Sequence, residues 1–429
     1  MVRATSGECT EPRGTRPNHD RVVAARSRAG WEHRGVDVDR IRACFPALDL
    51  GVAHFDGPGG SQVPRQVAGA VAAAMTAGLG NRGTTTEAEA RTERIVAEAR
   101  AAAGDLLGTD PRGVVVGRSM TQLTFDMART LSRSWGPGDE VVVTRLDHDA
   151  NIRPWVTAAE RAGATVRWLG FDPATAELDD LAPLLGERTR LVAFTAGSNL
   201  LGTRPDVRRL ADAAHEAGAL VYLDAVHLAP HAPVDRSALG VDLLACSPYK
   251  FFGPHLGLLA GDPAFLETLH PDKLLPSTDV VPERFELGTL PHELLAGVTA
   301  AVDFMAGLEP GGGDRRERLL RSMAALEARE SALLDHLVDG LRAIDGVTLH
   351  GAPARRTPTV LFTVAGHAPV DVARHLADQG VNAPAGHFYA LEASRHAGLG
   401  DTGGVRAGLA AYTSEEDVDR LVAAVADLR

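Results

Sequence analysis

Between residues 113 and 261 the chain repeats one alternation, a short β-branched apolar run followed by a stretch with helical spacing. The apolar runs are GVVVG (113–117), EVVVTR (140–145), ATVRWLG (164–170), RLVAFTA (190–196), ALVYLDA (219–225), VDLLACS (241–247) and LGLLAG (256–261). Between them, MTQLTFDMARTLSRS (120–134) and DVRRLADAAHEAG (206–218) set apolar residues three and four apart, as one buried helix face requires. Runs apolar at successive positions suit strands covered on both faces. Helical crossovers between such strands predict a mostly parallel seven-stranded sheet flanked by helices, an α/β fold. Ligands of open parallel sheets bind beyond the carboxyl ends of the strands. That rule gathers Ser119, His148, Asn199, Asp224 and Ser247 around one crevice.

The texture changes after about residue 300. A long helical pattern (315–344) leads into VTLHG, PTVLFTV and a final SEEDVDRLVAAVADL, the makings of a smaller α+β lobe entered through EPGGGD (309–314). Residues 1–36 are polar, rich in Arg and Gly, and without hydrophobic periodicity, which predicts a flexible arm. The expected division is an arm over 1–36, a large domain over 37–300 whose first part can pack on the small one, and a small domain over 301–429.

Composition narrows the partners. Hydrophobic residues make up 45% of the 429, enough for a sizeable core. The formal net charge of −12 argues against nucleic acid or an anionic membrane as the main partner. No apolar run reaches the length that crosses a bilayer. The three cysteines, Cys9, Cys44 and Cys246, are widely spaced and odd in number, which excludes a disulfide framework or a CxxC metal site and points to a reducing cytoplasm.

Within the crevice the most informative residue is Lys250, lodged in LLACSPYKFFGPHLGLLAG between two apolar runs. A lysine at a strand end ordinarily snorkels to water. A desolvated one has a lowered pKa and a nucleophilic amine, the requirement for a Schiff base with an aldehyde. Asp224 ends the preceding apolar run, where a buried carboxylate is costly unless paired with a cation. GRSMTQ (117–122) joins a strand to a helix, so backbone N–H groups with Ser119 and Thr121 can face a phosphate, although Ser and Thr are also ordinary caps. DHDANIRPW (147–155) and Asp224, His227 and His231 each admit a metal reading, but neither offers a complete ligand set. Lysine, carboxylate and helix start together match pyridoxal phosphate: the lysine holds the aldehyde, the carboxylate keeps the pyridine nitrogen protonated, and the helix end anchors the phosphate.

Several motifs carry a resemblance that spans roughly residues 40 to 429: HFDGPGGSQVP (54–64), NRGT (81–84), DHDANIRPW, SNLLGT (198–203), DAVHLAPH (224–231), SPYKFFGPHLG (247–257), RFELGT (284–289) and VRAGLAAYTSEEDVDRL (405–421). In this order they resemble the class V aminotransferase superfamily of fold type I pyridoxal phosphate enzymes, in its cysteine desulfurase-like branch. The resemblance implies that Lys250 is the Schiff-base lysine, Asp224 the pyridinium partner and His148 the residue stacked on the cofactor ring. Asn199 and His227 would lie near the ring oxygen, with His227 standing where desulfurases usually carry glutamine. Thr121, Ser247 and Tyr249 would hold the phosphate, with Met120 also contacting the cofactor. Gly288 and Thr289 would reach the phosphate of a partner subunit, implying a homodimer. Arg406, with Asn199, Gly59 and Gly60, would hold the substrate, the arginine through its carboxylate.

One departure changes the expected activity. The small-lobe loop that carries the sulfur-accepting cysteine of the desulfurases reads NAPAGHFYALE (382–392) here, and Tyr389 takes the cysteine position. A phenol does not accept sulfane sulfur as a thiolate does. The expectation is therefore a C–S lyase acting on an amino acid or a cysteine S-conjugate by β-elimination, with Tyr389 or His148 protonating the leaving group. Decarboxylation coupled to oxidative deamination, epimerisation or transamination are alternatives on the same scaffold. Relatives in antibiotic pathways and the Arg- and Ala-rich composition make bacterial specialised metabolism the expected setting. A non-catalytic regulator of the same fold would need a DNA-binding domain, for which 36 irregular residues are too few.

Overall fold

The computed structural model describes residues 36–428. The arm expected over 1–36 therefore lies, but for Val36, outside the described residues, as does Cys9. Residues from Val36 onward form one compact unit.

Thirteen strands are described. β1 (Ala53–His54) is followed by β2 (Val114–Gly117), β3 (Glu140–Thr144), β4 (Thr165–Leu169), β5 (Thr189–Thr195), β6 (Leu220–Asp224), β7 (Leu243–Cys246) and β8 (Gly257–Gly261). β9 (Val347–His350), β10 (Thr359–Val364), β11 (Val381–Asn382), β12 (Ala385–Gly386) and β13 (Gly404–Gly408) complete them. The seven runs read from the sequence become β2 to β8 and form one sheet in the order β2-β8-β7-β6-β5-β3-β4. All neighbours are parallel except β8, which runs antiparallel to both β2 and β7.

Side-chain alternation explains the continuous apolar runs. Val114, Val142, Val192, Phe194, Val221, Leu223 and Leu244 enter one hydrophobic cluster. Their immediate neighbours Val115, Val141, Val143, Leu191, Ala193, Tyr222 and Leu243 enter a second cluster on the opposite face. Successive residues of a strand point to opposite faces, so a sheet covered on both sides must be apolar at every position. Helices Met120–Leu131 and Arg153–Ala162 cover one face, and Glu87–Leu107, Val207–Glu216 and His292–Ala306 cover the other. Residue 300 falls inside helix His292–Ala306, whose Leu295, Val298 and Val302 belong to the large sheet's cluster. The chain turns only after that helix, before Asp314 caps the long helix Arg315–Arg342.

A four-stranded sheet, β12-β13-β10-β9, has a cluster of its own with Leu337, Leu341, Val360, Phe362, Val405 and Val418. Ala53 and Phe55 join this cluster, and β1 pairs in parallel with β11. The residues just after β1 thus stand between the two sheets. No helix among the described residues is long and apolar enough to cross a membrane.

Candidate active site

A cavity of about 620 Å³ opens at the carboxyl ends of β3, β5, β6 and β7. Its floor is set by the strand ends. Asp224 is the last residue of β6 and pairs in register with Thr195, the last of β5. The Asp224 carboxylate is buried and accepts the Val226 N–H at 2.9 Å. Burial raises its pKa to about 6, against the Val226 hydrogen bond and the charge of Lys250. The carboxyl group therefore ionises just below neutrality.

Lys250 ends a 3-10 turn, Pro248–Lys250, that follows β7. Its Nζ donates to the carbonyl of Pro58 and lies 4.8 Å from the centre of the Tyr249 ring. Burial, reinforced by the charge of Arg406, lowers the ammonium to about 7, while Asp56 and Asp224 oppose the shift. A substantial fraction is then neutral amine at physiological pH, which an exposed lysine never offers.

The motif at 147–155 is a scaffold for His148. Asp147 turns inward, where its carboxylate accepts the Thr144 hydroxyl, the Asn151 amide at 2.7 Å and the Thr195 N–H at 3.1 Å. Asn151 passes the chain on by accepting the Trp155 indole N–H at 3.0 Å. Asp149 instead pairs with Arg153 at 3.0 Å, at the cavity wall. The two acids point apart, which removes the metal reading of this segment. Among the described residues no group of three or more metal-ligating side chains converges anywhere. His148 accepts the Ala150 N–H on Nδ1 at 3.0 Å, so its proton sits on Nε2. Burial first, then Lys250 and Arg406, lower its pKa to about 4. It is a neutral imidazole, and its ring stacks 5.5 Å from that of Tyr389.

The opposite wall comes from the four-stranded sheet and the loop before it. Arg406, fully buried in β13, donates from Nη1 to the Asn199 carbonyl at 3.0 Å and from Nη2 to Asp56 at 2.6 Å. Its guanidinium stacks 3.7 Å from the Phe388 ring centre. A substrate carboxylate reaching Arg406 must therefore share it with Asp56. Asp56 is held close by a glycine: a Cβ on Gly59 would lie 2.4 Å from both Asp56 carboxylate oxygens.

The cavity lining includes Gly59, Met120, Thr121, His148, Asn199, Asp224, His227, Tyr249, Lys250, Tyr389 and Arg406 of the residues singled out in the sequence. Ser119 is not among them. Its hydroxyl caps helix Met120–Leu131 by accepting the Gln122 N–H at 3.1 Å, so only Met120 and Thr121 of that turn face the cavity. Ser247 is buried beneath the turn that carries Lys250, and its carbonyl accepts the Lys250 N–H. Gly60 sits against the Tyr249 ring, outside the lining. Gly288 and Thr289 are exposed on a separate loop and do not enter this chain's cavity. Asp56, Phe125, Arg153, Thr195 and Phe388 line it without having been expected.

A desolvated lysine, a buried carboxylate and a 12-residue helix starting at Met120 are the three anchors that pyridoxal phosphate needs. Two further details fit that group. His227 Nδ1 and Asn199 Oδ1 are buried without a protein partner, on residues that line the cavity. The helix start approaches so closely that a Cβ on Gly257 of β8 would meet the Ser119 carbonyl carbon at 2.2 Å. This is the site of a pyridoxal phosphate-dependent enzyme of fold type I.

The chain belongs to the class V aminotransferase family, whose Aminotransferase class-V profile matches residues 53–421. It is 37% identical over 402 residues to an uncharacterised protein of Mycobacterium tuberculosis, covering 91% of this chain and 99% of that one. It is 34% identical to a probable cysteine desulfurase of Mycobacterium leprae, covering 91% and 96%. Among solved structures, the cysteine desulfurase CsdA of Escherichia coli superposes with a TM-score of 0.80 at 28% identity, covering 91% of this chain and 97% of that one. These similarities place the chain in the cysteine desulfurase-like branch, with pyridoxal phosphate as cofactor.

Proposed function

We propose that the protein is a C–S lyase that cleaves amino-acid substrates of the cysteine S-conjugate type by β-elimination. The observation that carries this reading is a cavity of about 620 Å³, walled partly by Phe125, Phe388 and Tyr389, with no cysteine among its described lining residues. Cys246 is buried within a strand, where desolvation raises its thiol far above the ordinary range, and Cys44 lies outside the cavity. Neither is poised to take sulfur.

Each residue then has a task. Asn199 and Arg406 orient the substrate carboxylate, with Asp56 limiting how tightly the arginine holds it. Lys250, near its midpoint at neutral pH, takes the α-proton as a neutral amine. Asp224 would hold a proton on the ring nitrogen of pyridoxal phosphate, which when bound would supply the electron sink for the charge left at the α-carbon. The Cβ–S bond breaks with its electron pair on sulfur, and the exposed phenol of Tyr389 or the Nε2–H of His148 protonates the thiolate. Water then hydrolyses the enamine, so one conjugate and one water yield one thiol, one pyruvate and one ammonium.

The test is product stoichiometry. Bulky cysteine S-conjugates are expected to give pyruvate and thiol in equal amounts with no oxygen consumed. Free cysteine with reductant is expected to give negligible sulfide. Carbon dioxide and an aldehyde with oxygen consumption would overturn the lyase, and a persulfide on any cysteine during turnover would restore the desulfurase.

We further propose a homodimer. Leu274, Leu275, Val280 and Leu287 are all more than half exposed, and Gly288 and Thr289 follow directly. Exposed apolar side chains of this kind are what an interface covers. Light scattering is expected to give twice the chain mass for the active species, and full activity in a monomer would remove the proposal. The division into a large cofactor lobe and a smaller carboxyl-terminal lobe is likewise proposed, supported by the separate clusters under the two sheets. A cytoplasmic setting, supported by the free thiols of Cys44 and Cys246, and a place in bacterial specialised metabolism are proposed with it.

A further inference from the structure

A second cavity, of about 450 Å³, lies between helix Arg315–Arg342, the segment 352–358 and Arg204. A pair of touching rings links its wall to that of the active site. His227 lines the first cavity, His231 lines the second, and their rings meet edge to face at 5.2 Å. The second cavity has no part in the reaction proposed above.

Its charges do not balance locally. Arg204, Arg342, Arg355 and Arg356 face Glu327, Glu330 and Asp335. Glu327 is bonded to Arg204, and the buried Glu330 carboxylate lies 2.9 Å from His231 Nδ1. That leaves Glu330 and Asp335 against Arg342, Arg355 and Arg356. Among the described residues Arg342, Arg355 and Arg356 make no ion pair. Arg356 spends Nη2 on the carbonyls of Leu201 and Thr359 at 3.1 and 2.9 Å, which are neutral acceptors. Burial, then the neighbouring charge of Arg342, pull Arg356 down to about 10, with Asp335 opposing. Four arginines against three carboxylates leave an excess of positive charge on this wall, which a concavity concentrates.

We propose that this cavity binds a small oxyanion, a carboxylate or phosphate held by Arg342, Arg355 and Arg356. Planar guanidinium forks match the paired oxygens of such groups, and the cavity is of the size that takes a small metabolite.

The experiment is calorimetric titration of the holoenzyme, whose cofactor phosphate site is already filled, with inorganic phosphate and with succinate. Each is compared with chloride at equal ionic strength. Arg342 and Arg355 are exposed, so the double variant Arg342→Gln/Arg355→Gln is expected to keep its fold by circular dichroism. Saturable binding of at least one anion is expected in the wild type, weakened about tenfold or more in that variant. It is expected to persist in Arg406→Gln, which disables the buried arginine of the active-site cavity. No saturable binding of either anion overturns the proposal. So does binding that survives in the double variant, or binding that disappears with Arg406.

Discussion

Lys250→Ala is expected to eliminate the absorption band of the lysine-linked cofactor and to reduce turnover to background. Lys250 is the only amine among the described residues of the cavity wall, and its environment is built to discharge it. Burial lowers the ammonium to about 7, Arg406 adds repulsion, and the two carboxylates that would hold the proton, Asp56 and Asp224, are outweighed. The variant loses both the covalent anchor and the base, and a general base alone is worth roughly 10²–10⁴ in rate. The pH dependence follows from the sign of the shift. Only the neutral amine attacks an aldehyde, so capture of pyridoxal phosphate by the apoenzyme is expected to rise through about pH 7 and level off above it. An ordinary lysine would still be climbing near pH 10. Normal turnover in the alanine variant, or capture that keeps rising to pH 10, would remove Lys250 from this role.

Asp224→Ala is expected to cost several orders of magnitude in turnover while leaving the sheet intact. The side chain sits at a strand end and makes one protein hydrogen bond, to Val226, so little of the fold depends on it. Its chemical weight is larger. A carboxylate held rigidly in a dry site interacts more strongly with a developing charge than the same group in water, and such terms are worth about 3 kcal/mol or more. The carboxyl group is raised to about 6, so it carries its charge above that pH and loses it below. The wild-type rate is accordingly expected to fall as pH drops through about 6, and Asp224→Asn, uncharged throughout, to be slow at every pH. Stopped-flow measurement of α-proton exchange in both variants separates this loss from a failure to bind cofactor. Exchange at the wild-type rate in either would contradict the assignment.

What the sequence made legible follows from how loudly each feature is written. The seven runs between 113 and 261 all became strands because burial on both faces forces every position to be apolar. Chain reversal leaves no such mark: nothing in LGLLAG distinguishes β8, which is antiparallel, from its parallel neighbours. β1, β11 and β12 have two residues each, too short for any periodicity. β13 was recognisable only through a motif, since its five residues are three small or glycine positions around Val405 and Arg406. Lys250 and Asp224 stood out because a charge beside apolar runs is expensive. Asp56 did not, because its meaning lies in Arg406, far along the chain. Ser119 offers two ordinary uses of serine, helix cap or phosphate contact, that spacing does not decide, and its hydroxyl serves as the cap.

The pairing of β1 with β11 has a bearing on how the enzyme comes into being. A ribosome has delivered every strand of the large sheet once residue 261 has emerged, and that sheet's lysine and aspartate are then in hand. Asp56 and Arg406 stand 350 residues apart, and Pro58, whose carbonyl receives the Lys250 ammonium, precedes it by 192. The nascent chain must therefore carry its early segment unpaired until nearly the whole polypeptide has been made. Loop closure over such a span is slow, and edges left waiting are open to wrong partners. Asp56 and Arg406 can meet only after β13 has been made, so a chain arrested between residue 261 and β13 carries the reactive amine without the arginine that would grip a substrate.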